Sequence, residues 1–300
     1  MRFTPSYISL YQNGKLDQLI KLIESKYCSC NICPHSCNVD RINSAKRGFC
    51  KSGFLPVISS YGAHFGEEPP LVGHFGSGTI FFTNCNMRCV YCQNYEISQL
   101  GAGHEISFDE LATIMIKLQN DGCHNINFVS PTHQILAILK ALQIAIQNGL
   151  NIPLVYNSGG YDSVKTLQIL NGIFDIYMPD FKYFDNQKAH KYSGIKDYVD
   201  HVKASVLEIY KQVGDLKTEN GLAYRGLLIR HLVLPGNLAD TDNFLDFIKE
   251  EFPDGIHLNI MNQYRPEYKA EKFEELNLKP SKKECMQIVK KIDNKKIKII

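Results

Sequence analysis

Tryptophan is absent from this 300-residue chain, and neither sign of charge prevails: 33 Lys and Arg stand against 31 Asp and Glu, a formal net charge of +2. Such a balance gives no field that would gather nucleic acid or an anionic membrane, so neither is expected as a partner. Long apolar runs are missing too. No stretch approaches the roughly 18 uninterrupted apolar residues of a membrane-spanning helix, and the opening MRFTPSYISLYQNGKL has polar residues where a secretory core would lie. A soluble cytoplasmic protein is the expectation. With 44% apolar residues, the length suits one large α/β domain, alone or with a small appendage.

Cysteine, by contrast, is plentiful. Ten cysteines without a secretory signal point to metal or redox chemistry rather than to a disulfide framework. Eight fall in two groups: Cys28, Cys30, Cys33, Cys37 and Cys50, then Cys85, Cys89 and Cys92. Cys123 and Cys285 stand alone and read as small buried hydrophobes.

From residue 78 onward, short β-branched or aromatic runs alternate with helical periodicity. TIFFT (79–83), INFVS (126–130), PLVY (153–156), IFDIYM (173–178), LLIRHLVL (227–234) and IHLNIM (256–261) read as six strands. Between the first two, Ser107 and Glu110 form a capping box ahead of Leu111, Ile114, Met115 and Leu118. After the second, Ile135, Ile138, Leu139, Leu142 and Ile146 keep core spacing, and Gly149 lies just past the end. Further helices are expected over 162–170, 185–213 with a break near Ser193 and Gly194, and 242–251. Strands alternating with helices imply right-handed crossovers and a parallel sheet, either doubly wound or an incomplete (β/α) barrel. Ligands would then bind beyond the carboxyl ends of the strands. Residues 1–77 do not repeat this unit and form an N-terminal extension with a helix near 14–26 and the first cysteine group. Residues 78–300 form the main domain, closed by a helix that begins at a second capping box, Ser281 and Glu284.

CNMRCVYC (85–92) has the spacing C-x3-C-x2-C and follows the first strand of the repeating unit. Three thiolates in eight residues can hold three corners of a 4Fe-4S cluster and leave the fourth iron open, as catalytic metal sites require. A zinc ribbon pairing Cys30 and Cys33 with Cys89 and Cys92 is the competing arrangement, but it leaves Cys37 and Cys85 without a role. The triplet resembles the signature of the radical S-adenosylmethionine (SAM) superfamily, whose fold is a full or partial (β/α) barrel. The resemblance implies an α/β, partial (β/α)6 TIM-like barrel. It also implies an oxidoreductase that reductively cleaves SAM to a 5'-deoxyadenosyl radical for hydrogen abstraction, with a donor such as flavodoxin or ferredoxin.

Within the superfamily, residues 78–265 are most similar to relatives of the pyruvate formate-lyase activating enzyme, which install a glycyl radical on a partner protein. The resemblance puts Tyr91 near the adenine, Asn157 or Ser158 of VYNSGGY near the methionine part of SAM, and Asp180 and Lys182 of MPDFKYFD near substrate and the cofactor carboxylate. Arg230 of LIRHLVLPG falls where an arginine contacts the cofactor. One motif departs. The second strand should end in a Gly-Gly-Glu element that receives the SAM amino group, and here it ends NFVSPTHQ, with Ser130, Thr132 and His133 in its place. Hydroxyl or carbonyl acceptors, a neutral His133, or a plain helix cap at Thr132 are open readings. GEEPP (66–70) carries the expected letters before the first of these strands and reads as a loop, with lining of the active site as an open role.

Cys30, Cys33, Cys37 and Cys50 can supply four thiolates in a polar segment with too little apolar content to hold itself together, so a metal would contribute folding energy there. Zinc and an auxiliary iron–sulfur cluster fit equally, and Cys28 is spare. The leading function is radical chemistry on a protein or peptide. The alternatives are radical modification of a small molecule and a noncatalytic metal-binding interaction module.

Overall fold

All six apolar runs are strands, and together they form the centre of one larger sheet. A computed structural model describes residues 3–44, 47–292 and 297–300; Ala45 and Lys46, in the cysteine-rich extension, lie outside the described residues. The extension contributes α1 (Ser6–Gln12), α2 (Lys15–Tyr27), β1 (Val57–His64) and α3 (Pro69–Val72). Then follow β2 (Ser77–Phe82), α4 (Tyr95–Ser98), β3 (His104–Glu105), α5 (Phe108–Asn120), β4 (Ile126–Val129) and α6 (Ile135–Gln147). Next come β5 (Leu154–Asn157), α7 (Val164–Ile169), β6 (Ile176–Tyr177), α8 (Asn186–Ser193) and α9 (Tyr198–Val213). The chain closes with β7 (Lys217–Glu219), β8 (Leu222–Leu232), α10 (Thr241–Glu251), β9 (Ile256–Met261), α11 (Lys282–Lys291) and β10 (Ile297–Ile299).

Strands β2, β4, β5, β6, β8, β9 and β10 are neighbours in that order and parallel throughout. β1 runs antiparallel on the outer side of β2, and β3 pairs with the start of β1. Among the described residues the first and last strands of this order do not pair, so the barrel is partial. The expected six strands are therefore supplemented by β1, β3, β7 and β10. β1 escaped the periodicity because only Ile58 on it is buried, leaving no apolar run.

Helix starts follow the sequence signals. Ser107 Oγ accepts from Glu110 N at 3.1 Å while Glu110 Oε2 accepts from Ser107 N at 2.7 Å, and Ser281 and Glu284 repeat the pair at 3.2 and 2.7 Å. The break between α8 and α9 is set by Gly194, whose φ of 72° ends α8 in the left-handed region.

The two faces of the sheet have different jobs. Tyr156, Tyr177, Leu227 and Ile229 pack outward with Phe128, Phe174 and the helices, in the main core. Val155, Ile176, Met178 and Leu228 face the other way and meet Leu71 of α3, which plugs the inner face. Side chains alternate along a strand, so Asn157, Asp180 and Arg230, two positions further on, share this inner face nearer the carboxyl ends.

His231, next to Arg230, is fully buried in the outer layer. Its Nδ1 donates to Phe181 O at 2.6 Å and its Nε2 accepts from Thr241 Oγ1 at 2.9 Å, which fixes one neutral tautomer. Burial lowers its pKa to about 4. The unfolded chain, with a His pKa of about 6.5, binds this proton first as pH falls, so stability is lost from about pH 6.5 down to 4 at up to about 1.4 kcal/mol per pH unit. Urea unfolding across that window should show a shallower pH slope in His231→Phe than in the wild type; an unchanged slope would refute the assignment.

Candidate active site

The chain leaves β2 through Asn84, in the left-handed region with φ of 65°, and enters the cysteine loop. Two backbone bonds, Arg88 N to Ser193 O at 3.2 Å and Val90 N to Tyr192 O at 2.8 Å, hold this loop against the end of α8. Cys85, Cys89 and Cys92 all line one cavity of about 260 Å³. Each sulfur has a polar neighbour: Met87 N donates to Cys85 Sγ at 3.3 Å, Ser193 Oγ to Cys89 Sγ at 3.0 Å, and Ser98 Oγ lies 3.1 Å from Cys92 Sγ. Burial, then the nearby Cys89, pushes the Cys85 thiol up to about 12. Burial raises the Cys89 thiol as well, and a soft metal would displace the protons of both.

The opposite wall is charged. Asp180 takes Lys182 Nζ on one oxygen at 2.5 Å and Arg230 Nε on the other at 2.8 Å. Burial would raise the Asp180 pKa, but Arg230 and Lys182 together outweigh it and hold the carboxylate below its usual range. Arg230 also donates to Asn157 Oδ1 at 2.7 Å. The same cavity is lined by Tyr91, Ser130 and Ser158. The structure thus places Cys85, Cys89, Cys92, Tyr91, Ser130, Asn157, Ser158, Asp180, Lys182 and Arg230 on one cavity.

The VYNSGGY segment divides its tasks. Asn157 meets Arg230, whereas Ser158 Oγ donates to the buried Asp162 at 2.6 Å. Gly160 has φ of +79°, and a Cβ there would sit 2.3 Å from Asp180 O, so only glycine lets this loop press against the Asp180 loop. The departing motif is also divided. Ser130 faces the cavity with a left-handed φ of 58°, a conformation costing a non-glycine residue about 1 kcal/mol. Thr132 donates to Asp162 at 2.7 Å. His133 lines a different cavity, beside Cys30, Cys33, Cys37 and Cys50. Cys30 and Cys33 therefore line one cavity and Cys89 and Cys92 another, unlike the shared zinc ribbon weighed from spacing. Among the described residues, no three His, Cys, Asp or Glu side chains cluster tightly enough for a single metal ion.

GEEPP is more than a loop. Glu67 and Glu68 each reach within 3.6 Å of Arg230 Nη1 from below, and Glu68 also accepts from Asn259 at 2.9 Å. Burial pushes the Glu67 pKa up in spite of Arg230. The paired glutamates before two prolines were visible in the sequence, but their meeting with a strand far along the chain was not.

The radical SAM superfamily model matches residues 79–248, the span from the start of β2 into α10. The chain belongs to the radical SAM superfamily. It is 37% identical over 276 residues to the uncharacterized protein MJ0674 of Methanocaldococcus jannaschii, covering 87% of this chain and 73% of that protein. It is 22% identical over 176 residues to the pyruvate formate-lyase-activating enzyme of Staphylococcus aureus, covering 55% of this chain and 65% of that enzyme. The crystal structure of SuiB from Streptococcus suis aligns with a TM-score of 0.45 and 11% identity, over 73% of this chain and 47% of SuiB, so this chain spans about half of it. Radical SAM proteins are enzymes that use a 4Fe-4S cluster and SAM. Among the described residues, no helix is long and apolar enough to cross a membrane.

The donor set fits such a cluster: three free cysteines line one cavity and can supply three thiolates to it. The charged wall makes its own demand. Asp180→Asn would leave Lys182 and Arg230 as close buried cations without their shared partner, and should lower unfolding free energy by about 3 kcal/mol in urea. A loss under about 1 kcal/mol would show that Glu67 and Glu68 suffice as counter-charges.

Proposed function

We propose that this enzyme reductively cleaves SAM and abstracts a hydrogen atom from a polypeptide substrate, activating or modifying it. The observation that carries the reading is the single cavity at the strand ends, with three thiols on one wall and Asp180, Lys182 and Arg230 on the other. Cys85, Cys89 and Cys92 would hold the cluster. When bound there, the cluster would supply an open iron site and the electron for reductive cleavage of SAM.

The chain's own residues orient and protect that chemistry. Lys182 and Arg230, kept charged by Asp180, attract the SAM carboxylate. The Ser130 hydroxyl and the Asn157 amide oxygen are acceptors for the amino N–H groups where the family has a glutamate. Tyr91, buried between Tyr183 and Tyr264, offers an aromatic face to the adenine. With thiolate sulfurs at Cys89 and Cys92, the Ser193 and Ser98 hydroxyls would donate to them and favour the reduced, more negative state of a cluster held there. Residues 78–300 carry this machinery, and residues 1–77 are an extension packed against it. A polypeptide substrate is supported by the likeness to the activating enzyme, whose name states that it acts on pyruvate formate-lyase. A small flavodoxin or ferredoxin suits the electron input.

Anaerobically reconstituted protein should release 5'-deoxyadenosine from SAM on dithionite reduction, and Cys89→Ala should abolish release; persistence in the variant would sink the reading. Ser193→Ala should shift the cluster's midpoint to a more negative potential in an EPR-monitored titration, with no shift counting against the hydrogen bond's role. Cleavage should be accelerated by the protein fraction of a lysate, with a mass change in one of its components. Acceleration by the small-molecule filtrate alone would favour the alternative substrate class.

A further inference from the structure

The first cysteine group remains outside the site just described, yet it is assembled around a cavity of its own. Cys30, Cys33, Cys37 and Cys50 all line it, while the exposed Cys28 does not. The loop is folded so that its sulfurs converge: Cys30 N donates to Val39 O and Asn38 N to Cys30 O, both at 2.9 Å, with Ser36 and Asn38 in left-handed conformations. The returning arm presses on it. Phe49 N donates to Cys37 Sγ at 3.4 Å, and a Cβ on Gly48 would lie 3.0 Å from that sulfur, so a side chain there would crowd the thiol.

Arg41 supplies the second observation. It is 2% exposed, lies over the Tyr27 ring at 4.0 Å, and donates to the carbonyls of Gly53 at 2.9 Å and His133 at 2.7 Å. Among the described residues it has no carboxylate partner, and its ionisable neighbours are instead Tyr27, Cys30 and Cys50. A buried cation calls for a counter-anion. Four thiols as thiols carry none, whereas four thiolates around a metal centre leave a net negative charge. His133, 2% exposed and on the same cavity wall, has its Nδ1 without a hydrogen-bond partner among the described residues.

We infer that Cys30, Cys33, Cys37 and Cys50 hold a second iron–sulfur cluster, with Arg41 as its buried counter-charge. Thiolate donors select zinc or iron–sulfur clusters. Zn–S bonds of about 2.3 Å would draw four sulfurs to within about 4 Å of one another. These cysteines, like the triplet, are not drawn to single-ion spacing. This centre abuts the catalytic loop. His35 Nε2 donates to Asn86 O at 2.9 Å and stacks on Phe49, while Arg88 donates to Phe49 O at 3.0 Å. Cys50 and Cys85 line one shared depression between the two sites.

The test separates the two metal sites and does not depend on SAM cleavage. After anaerobic reconstitution, the wild type should bind about eight irons per chain, the Cys85/Cys89/Cys92→Ala variant about four, and Cys33/Cys50→Ala about four. The triplet variant should retain the Mössbauer spectrum of a cluster. One zinc and no iron in the triplet variant, or no metal in it, would overturn the inference. Should that variant fail to fold, wild-type iron content in Cys33/Cys50→Ala would overturn it equally.

Discussion

One carboxylate governs the geometry of the inner face. Asp180 spends one oxygen on Lys182 and the other on Arg230, and Arg230 passes the constraint to Asn157 on β5 and to Glu67 and Glu68 beneath. Strand ends from three parallel strands and the plug from the extension are thereby fixed relative to one another. Such an arrangement is stable only when every buried charge has its partner, and it faces the cysteine loop across the cavity that both define.

Much of this was readable from the chain. Buried parallel strands appear as continuous apolar runs, so β2, β4, β5, β6, β8 and β9 stood out, and the capping boxes at Ser107 and Ser281 marked two helix starts to the residue. The spacing of the cysteine triplet pointed to a cluster with one open iron, while the radical SAM chemistry and the places of Asn157 or Ser158, Asp180 and Arg230 came from the resemblance to that superfamily.

What the chain concealed depends on contacts between distant segments. Nothing in GEEPP reveals that α3 enters the sheet's inner face or that its glutamates meet Arg230. β1 is half exposed and antiparallel, with a pattern indistinguishable from a loop. Arg41, in a polar stretch, gave no sign of being buried, because its burial is decided by Tyr27 and the carbonyls of Gly53 and His133 and not by its neighbours in sequence. Ser130 likewise looked like a substitution within a motif, while its left-handed backbone shows that the turn itself keeps a glycine-like shape with a serine in it.

The unpaired first and last strands have a topological consequence. A sealed ring of strands can be entered only through its mouth, so a long polymer would have to offer a free end or a tight protruding tip. The order of strands seen among the described residues is open and does not impose that restriction.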